Sequence, residues 1–321
     1  MKRKQLAPHI HADQPAAERY LYVLLALLPA WLGAVFYYGV RVVILSVLSA
    51  GCFFGVDFFV SRRMYPEQSY YVDLSSLVSG VLLVLMVPAS ASVWAILLAS
   101  LFGSLLVKQA FGGVGTNILN PALASRAFLE VTFPVQMKAA EAPFSGLWHL
   151  SSLLNGSPAE QTAFGDTSIS WMNILSGRLL GMAGVTSAVL LLLGLLILVE
   201  RRLFRFEAPV GYFLVLIIGY VPFYWDALRL DAFFLWLCTG GLLLVGIFML
   251  NDYSTIPMDP RGRFMFGLVA GLLTLVLYRF GNSSYAMIFP VLMMNMTTPI
   301  FDHYLRPRAF SKPSWYREVD E

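Results

Sequence analysis

The sequence predicts an all-α polytopic membrane protein, with about ten transmembrane helices in two inverted five-helix halves. Three observations predict it. Of 321 residues, 58% are hydrophobic and 13% charged, with a mean hydropathy of +0.70, whereas a soluble domain is about half apolar and about a quarter charged. Apolar runs of the length a bilayer requires, about 20 residues, recur along the whole chain. Sixteen of the 22 Lys and Arg fall in flanks that a ten-span order starting inside places on one side, which is the bias that sets orientation in membrane proteins.

Residues 1–19 form a polar N-terminal segment on the cytoplasmic side. No short apolar core or small-residue cleavage site precedes Tyr20, so a cleavable signal peptide is not expected. Nine clear spans follow, near 20–38, 41–60, 72–88, 91–107, 183–200, 209–225, 232–250, 264–280 and 284–301. A tenth, 118–134, is shorter and carries Arg126 and Glu130. It either spans or re-enters, and the charge bias requires it to cross. The halves are then 20–134 and 183–303. Five spans per half invert the second half relative to the first, as in inverted-repeat transporters. Between them, residues 135–182 are polar and turn-rich and face outward. At over 40 residues this stretch is longer than a neutral connector and points to function or mobility. Residues 304–321 form a short cytoplasmic tail, basic and then acidic.

Each half contains a polar, Pro-containing break, TNILNPALASR in the first and NDYSTIPMDPRGR in the second. Paired broken segments mark binding sites in such folds; the plain alternative is two cytoplasmic loops. The first break lies in residues 108–128, KQAFGGVGTNILNPALASRAF. Hydrocarbon tolerates irregular polar backbone only where it is buried in protein or lines a cavity. Gly112, Gly113 and Gly115 allow positive φ and close approach of backbone to a ligand. Asn117 and Asn120 offer donors and acceptors, next to Pro121, and Arg126 supplies a cation. Asp252 and Thr255 lie in the second break.

Ionisable groups within spans are functional hypotheses by default. Asp57 is the most unusual, because an unpaired carboxylate inside a span costs about 2.5–3.5 kcal/mol on insertion scales. Together with Asp252 it is a candidate ion path; the bland alternative is a neutral, hydrogen-bonded Asp near the interface. Asp73, Asp259, Asp302 and His303 sit at span ends. His9 and His11 lack a third ligand nearby, and His149 reads as a surface residue. Cys52 and Cys238 lack metal-ligand spacing, and two cysteines exclude a self-contained four-Cys iron–sulfur site. No metal site and no catalytic residue is expected. FGGVGTN follows a membrane helix rather than a strand, so it fails the context a dinucleotide fingerprint needs. No basic and aromatic pattern points to nucleic acid. Tyr37, Tyr38, Tyr70, Tyr71, Trp94, Tyr224 and Trp225 cluster near span ends, as interfacial aromatics do.

Several stretches, in order, carry a family resemblance: APHIHADQ at 7–14, KQAFGGVGTNILNPALASRAFL at 108–129, GMAGVTSAVLLLLGLL at 181–196, and MLNDYSTIPMDPRGRFMFG with MNMTTPIFDHYLRPRAF over 249–310. The chain resembles the RnfD / NqrB family, membrane flavoprotein subunits of ion-translocating electron-transport complexes, and is closer to the Rnf branch. The resemblance implies ten helices in two inverted halves and a flavin inside the bundle. It implies electron transfer coupled to Na⁺ or H⁺ translocation, in the bacterial cytoplasmic (inner) membrane with both termini cytoplasmic. It implies further Rnf-type subunits as partners: an iron–sulfur membrane pair, an outward-facing flavin subunit, and cytoplasmic iron–sulfur subunits reactive with NADH or ferredoxin. The family usually attaches FMN to a Thr in a motif like D-x-x-S-G-A-T. Residues 150–175 lack it. Thr162 and Thr167 are the nearest candidates, yet neither follows a small-small run. The expectation is therefore FMN or riboflavin held without a covalent bond, with Asn117 and Asn120 on the ring edge and Arg126 on the phosphate or reduced ring. The alternative class is a redox-inactive inverted-repeat channel or transporter, or a membrane scaffold for a redox partner.

Overall fold

The structure is a computed structural model that describes residues 16–64, 74–137, 182–185, 187–223, 237, 241–281 and 283–305. The expected attachment positions Thr162 and Thr167, the histidines His9, His11 and His149, most of the 135–182 loop and nearly all of the 304–321 tail lie outside these residues. The described residues are helical, without strands.

In chain order the helices are α1 (Ala16–Tyr38), α2 (Val40–Met64), α3 (Leu74–Leu85), α4 (Val93–Phe102), α5 (Pro121–Thr132), α6 (Ala188–Glu200), α7 (Glu207–Phe223), α8 (Leu242–Phe248), α9 (Pro260–Phe280) and α10 (Ser283–Leu305). Among the described residues, four apolar helices are long enough to cross a membrane by length and composition: Ala17–Tyr38, Val40–Met64, Val93–Phe111 and Pro260–Phe280. The protein is a multi-pass membrane protein. Its exposed side chains agree, since Leu32, Phe36, Phe59, Trp94, Leu196, Ile218 and Met296 are large, apolar and outward, a surface that water disfavours.

Several of the described helices are too short to span alone, α3, α5 and α8 among them. At 1.5 Å per residue, the 12 residues of α3 and of α5 cover about 18 Å of a hydrocarbon core about 30 Å thick. The apolar helix that begins with α8 ends at Asn251. The segments after α3 and α8, 86–92 and 252–259, continue the path as irregular backbone. Their polar groups are met by side chains from neighbouring helices, as hydrocarbon requires. In 86–92, Arg126 Nε donates to Met86 O at 2.8 Å. Arg41 Nη2 donates to Ser90 O and Ala91 O at 2.8 and 3.0 Å, and Ser92 N donates to Gln136 Oε1. In 252–259, Thr298 Oγ1 donates to Thr255 O at 2.8 Å, Arg263 Nη1 to Met258 O at 2.9 Å, and Met258 N to Asp302 Oδ1 at 2.8 Å.

TNILNP joins α4 to α5, and NDYSTIPMDP joins α8 to α9. The run 86–92 (MVPASAS), between α3 and α4, is a further irregular stretch.

Close packing follows small residues. Gly267 and Gly271 on α9 face α7: a Cβ at Gly267 would meet the Ala208 backbone, and one at Gly271 would meet Tyr212 O. This small-xxx-small spacing lets backbones approach where no hydrophobic effect drives association.

Candidate functional site

The site forms where α4 unwinds. After Phe102 the helix passes into π turns over Gly103–Lys108 and a 3₁₀ turn over Gln109–Phe111. Such wide turns are rare and frequent at functional sites. Gly112, Gly113 and Gly115 follow with φ of 106°, 94° and 84°, a region costly for any residue with a Cβ. They reverse the chain, with Gly112 N donating to Gln109 O and Gly113 N to Lys108 O. Asn120 then caps α5, its Oδ1 accepting from Ala122 N and Leu123 N, with Pro121 at the first helical position, where its missing N–H costs nothing.

The unwound end of α4 carries a buried ion pair. Lys108 Nζ lies 2.5 Å from Asp57 Oδ2, and both side chains are 2% exposed. Nζ also donates to Ser75 Oγ at 2.8 Å and Ser76 Oγ at 2.7 Å. Asp57 Oδ1 accepts from Ser104 Oγ at 2.8 Å and Gln109 Nε2 at 2.7 Å, and Oδ2 accepts from Ser76 Oγ. Asp57 is thus buried among polar groups of α3 and of the unwound end of α4.

A second network centres on Asp252. Its Oδ2 accepts from Asn120 Nδ2 at 3.0 Å and Thr255 Oγ1 at 3.1 Å; its Oδ1 accepts from the backbone and hydroxyl of Ser254. Asn117 Nδ2 donates to Leu119 O and Ser254 Oγ. Asn295, in the amide orientation that satisfies both of its groups, donates to Thr255 O and accepts from Asn120 N. Residues more than 130 positions apart thereby join the two breaks.

Between these networks lies a cleft with about 580 Å³ of empty space, part of it open to solvent. Its polar lining is Ser75, Ser79, Lys108, Asn117, Asn120, Asn251, Asp252 and Ser254; Tyr20, Tyr253 and Phe248 supply aromatic rings, and Val23, Val78, Leu82, Val114 and Pro121 apolar surface. Tyr253 carries Arg205 and Arg19 over its ring at 4.3 and 5.4 Å, and its hydroxyl donates to Leu203 O at 2.6 Å. Burial, then the neighbouring Arg263, lowers the pKa of Arg205, which lies in the turn between α6 and α7.

Of the residues singled out from sequence, Asn117, Asn120, Pro121 and Asp252 line this cleft. Thr255 is buried behind it. The glycines shape the turn outside the lining. Arg126 is fully buried elsewhere, bridging Glu130 Oε2 at 2.5 Å and Met86 O, so it holds the 86–92 break. Asp57 reaches the cleft only through Lys108. Sequence reasoning missed Lys108 as a site residue, and Ser75, Ser76, Ser104, Tyr20, Tyr253 and Asn295 altogether. The serines on α3 and the polar Asn295 in an apolar helix were visible signals.

Comparison with known proteins places this architecture. The NQR2, RnfD, RnfE family profile matches residues 4–311. The chain belongs to the NQR2, RnfD, RnfE family. Among its relatives in that family is the D-type subunit of the ion-translocating oxidoreductase complex of Actinobacillus succinogenes, 28% identical over 94% of this chain and 96% of that protein. The D-type subunit of the Na(+)-translocating ferredoxin:NAD(+) oxidoreductase complex of Acetobacterium woodii is 28% identical over 95% of this chain and 93% of its own. Its counterpart in the ion-translocating oxidoreductase complex of Ectopseudomonas mendocina is 30% identical, covering 95% and 94%.

Proposed function

We propose that the chain is the membrane-embedded RnfD-type subunit of an electron-transport complex, holding FMN or riboflavin non-covalently in the cleft between 108–121 and 248–254. In this reading it passes electrons between partner subunits, coupled to Na⁺ or H⁺ translocation. The observation that carries it is the cleft itself: amides, hydroxyls and one ammonium facing aromatic rings, inside a member of this family. The donor set fits an isoalloxazine, whose polar edge accepts and donates hydrogen bonds and whose faces are apolar. A bound flavin would supply one- and two-electron chemistry, while the protein supplies position and electrostatics. Asn117 and Asn120 are anchored by Ser254 and Asp252, so their groups are preorganised. Tyr20, Tyr253 and Phe248 offer stacking surface.

Two inverted halves, an inner-membrane location and cytoplasmic termini belong to the same proposal. The order of short helix, irregular break and capped helix supports the halves, because it recurs at 74–102 and 242–280. Partners follow the same reading: an iron–sulfur membrane pair, an outward-facing flavin subunit, and cytoplasmic iron–sulfur subunits reactive with NADH or ferredoxin.

The test is flavin content of the natively purified complex, by acid extraction and by intact mass of this chain. One extractable flavin that disappears in Ser254→Trp, which fills the cleft, is the expected result. An adduct mapped to Thr162 or Thr167 would mean a covalent FMN in a divergent motif. No flavin lost on filling the cleft would overturn the reading and favour the redox-inactive transporter or scaffold.

A further inference from the structure

We infer that Arg19 and Arg205, both stacked on Tyr253 beside the cleft, form a binding site for a phosphate group. Either of two molecules supplies that phosphate: a flavin mononucleotide held in the cleft, through its phosphate ester, or an anionic phospholipid, through its headgroup. Only the first of these rests on the flavin reading above.

The two arginines come from distant parts of the chain. Arg19 stands near the start of α1, and Arg205 lies in the turn between α6 and α7. Their guanidinium carbons lie 5.4 and 4.3 Å from the Tyr253 ring centroid. The ring is fixed, because Tyr253 Oη donates to Leu203 O at 2.6 Å. Asn251 ties down the same turn: its Oδ1 accepts from Arg205 N at 3.0 Å, and its Nδ2 donates to Leu203 O at 3.3 Å. Asn251 and Tyr253 both line the cleft, so the arginines are held at its edge before any ligand arrives.

Stacking engages the face of a guanidinium and leaves its in-plane N–H groups to donate. Among the described residues, neither guanidinium makes an ion pair or a hydrogen bond, and Arg19 Nε is buried without an acceptor. Glu207, the carboxylate that acts on Arg205, is taken by Arg263 through two bonds of 2.9 and 3.2 Å. Glu18 and Glu200 pair with neither arginine. Asp252 brings one negative charge to the cleft lining against these two guanidiniums, and its oxygens accept from Asn120, Ser254 and Thr255. Burial and the like charges of Arg263 and Arg19 all work against the Arg205 cation, and a bound anion opposes all three.

The chemistry favours phosphate among anions. The planar fork of arginine matches a phosphate's oxygens in pairs, and two guanidiniums answer the charge of about −1.5 to −2 that a phosphate monoester carries at pH 7. Phe206, next to Arg205, is an exposed apolar side chain. Aromatic and basic residues side by side at a helix end suit the headgroup level of a bilayer as well.

The test uses the whole complex in lipid nanodiscs, as wild type and as the double variant Arg19→Gln with Arg205→Gln. The first arm removes the native flavin and compares rebinding of FMN with that of riboflavin. If the phosphate belongs to the nucleotide, the double variant binds FMN at least about tenfold more weakly and riboflavin within about threefold of wild type. The second arm releases the complex from nanodiscs of mixed phosphatidylglycerol and phosphatidylcholine and counts retained lipid by native mass spectrometry. If the phosphate belongs to a lipid, wild type retains phosphatidylglycerol that the double variant loses, and the preference between FMN and riboflavin is unchanged. Arg19→Lys with Arg205→Lys keeps the charge but loses the fork, and should fall between the two. If the double variant does not assemble, Arg19→Gln alone carries the same expectations. A variant that matches wild type in both arms overturns the inference and leaves the flavin reading intact. A wild type that takes up neither flavin overturns the flavin reading, and the lipid arm then decides the phosphate site by itself.

Discussion

Asp57→Ala should destabilise the protein by about 3–5 kcal/mol, the typical cost of leaving one member of a buried ion pair without its partner. The magnitude follows from the geometry. At 2.5 Å and an effective dielectric near 20, the gross attraction is roughly 6–7 kcal/mol. Desolvation of both ions consumes much of it, and in wild type the two roughly balance. In the variant the ammonium stays buried beside Ser75 and Ser76 without the Asp57 carboxylate, and Ser104 and Gln109 lose their shared acceptor. Replacing both charges, Asp57→Asn with Lys108→Met, should recover most of the loss, since both ions of the pair are then removed together. The assay is a double-mutant cycle on reversible unfolding in mixed micelles, followed by helical circular dichroism. A coupling energy below about 0.5 kcal/mol would refute the reasoning, because contacting charges in one network couple by about 0.5–3 kcal/mol.

Other expectations test neighbouring parts of the structure. Asn120→Ala should lose about 1–3 kcal/mol by the same unfolding measurement, through the α5 cap and the bond to Asp252. Asn120→Asp keeps the cap but sets two carboxylates together, so its stability should fall more steeply than that of wild type as pH rises from 5 to 8. Gly112→Ala and Gly113→Ala should each cost about 1–2 kcal/mol from positive φ, with midpoints shifted while the helical content of the folded state is unchanged. Gly267→Leu should cost at least about 1–3 kcal/mol, since its side chain would meet the Ala208 backbone; engineered cysteines on α7 and α9 should then cross-link more slowly.

Much of the architecture was legible in the chain because membrane insertion imposes a one-dimensional rule. Apolar runs of bilayer length reveal helices before any tertiary contact, and each expected span overlaps a described helix. The polar break at 108–128 was legible for the same reason: Gly, Asn and Pro stand out in an apolar chain. Asn117, Asn120, Pro121 and Asp252 were found by that signal, and they do converge on one cleft.

What the sequence determined by itself is therefore composition-driven: a helical membrane protein, its helix positions, its breaks and its family resemblance. What only the tertiary structure decided is which polar groups meet. Asp57 and Lys108 are 51 positions apart, and nothing local in either run announces the other. Arg126 looked like a ligand-facing cation, yet burial turned it toward Met86 and Glu130. The physical reason is common to both. In hydrocarbon a buried polar group must find a partner wherever the packed helices bring one, and that pairing is set by three-dimensional proximity, which a linear pattern of residue types does not encode.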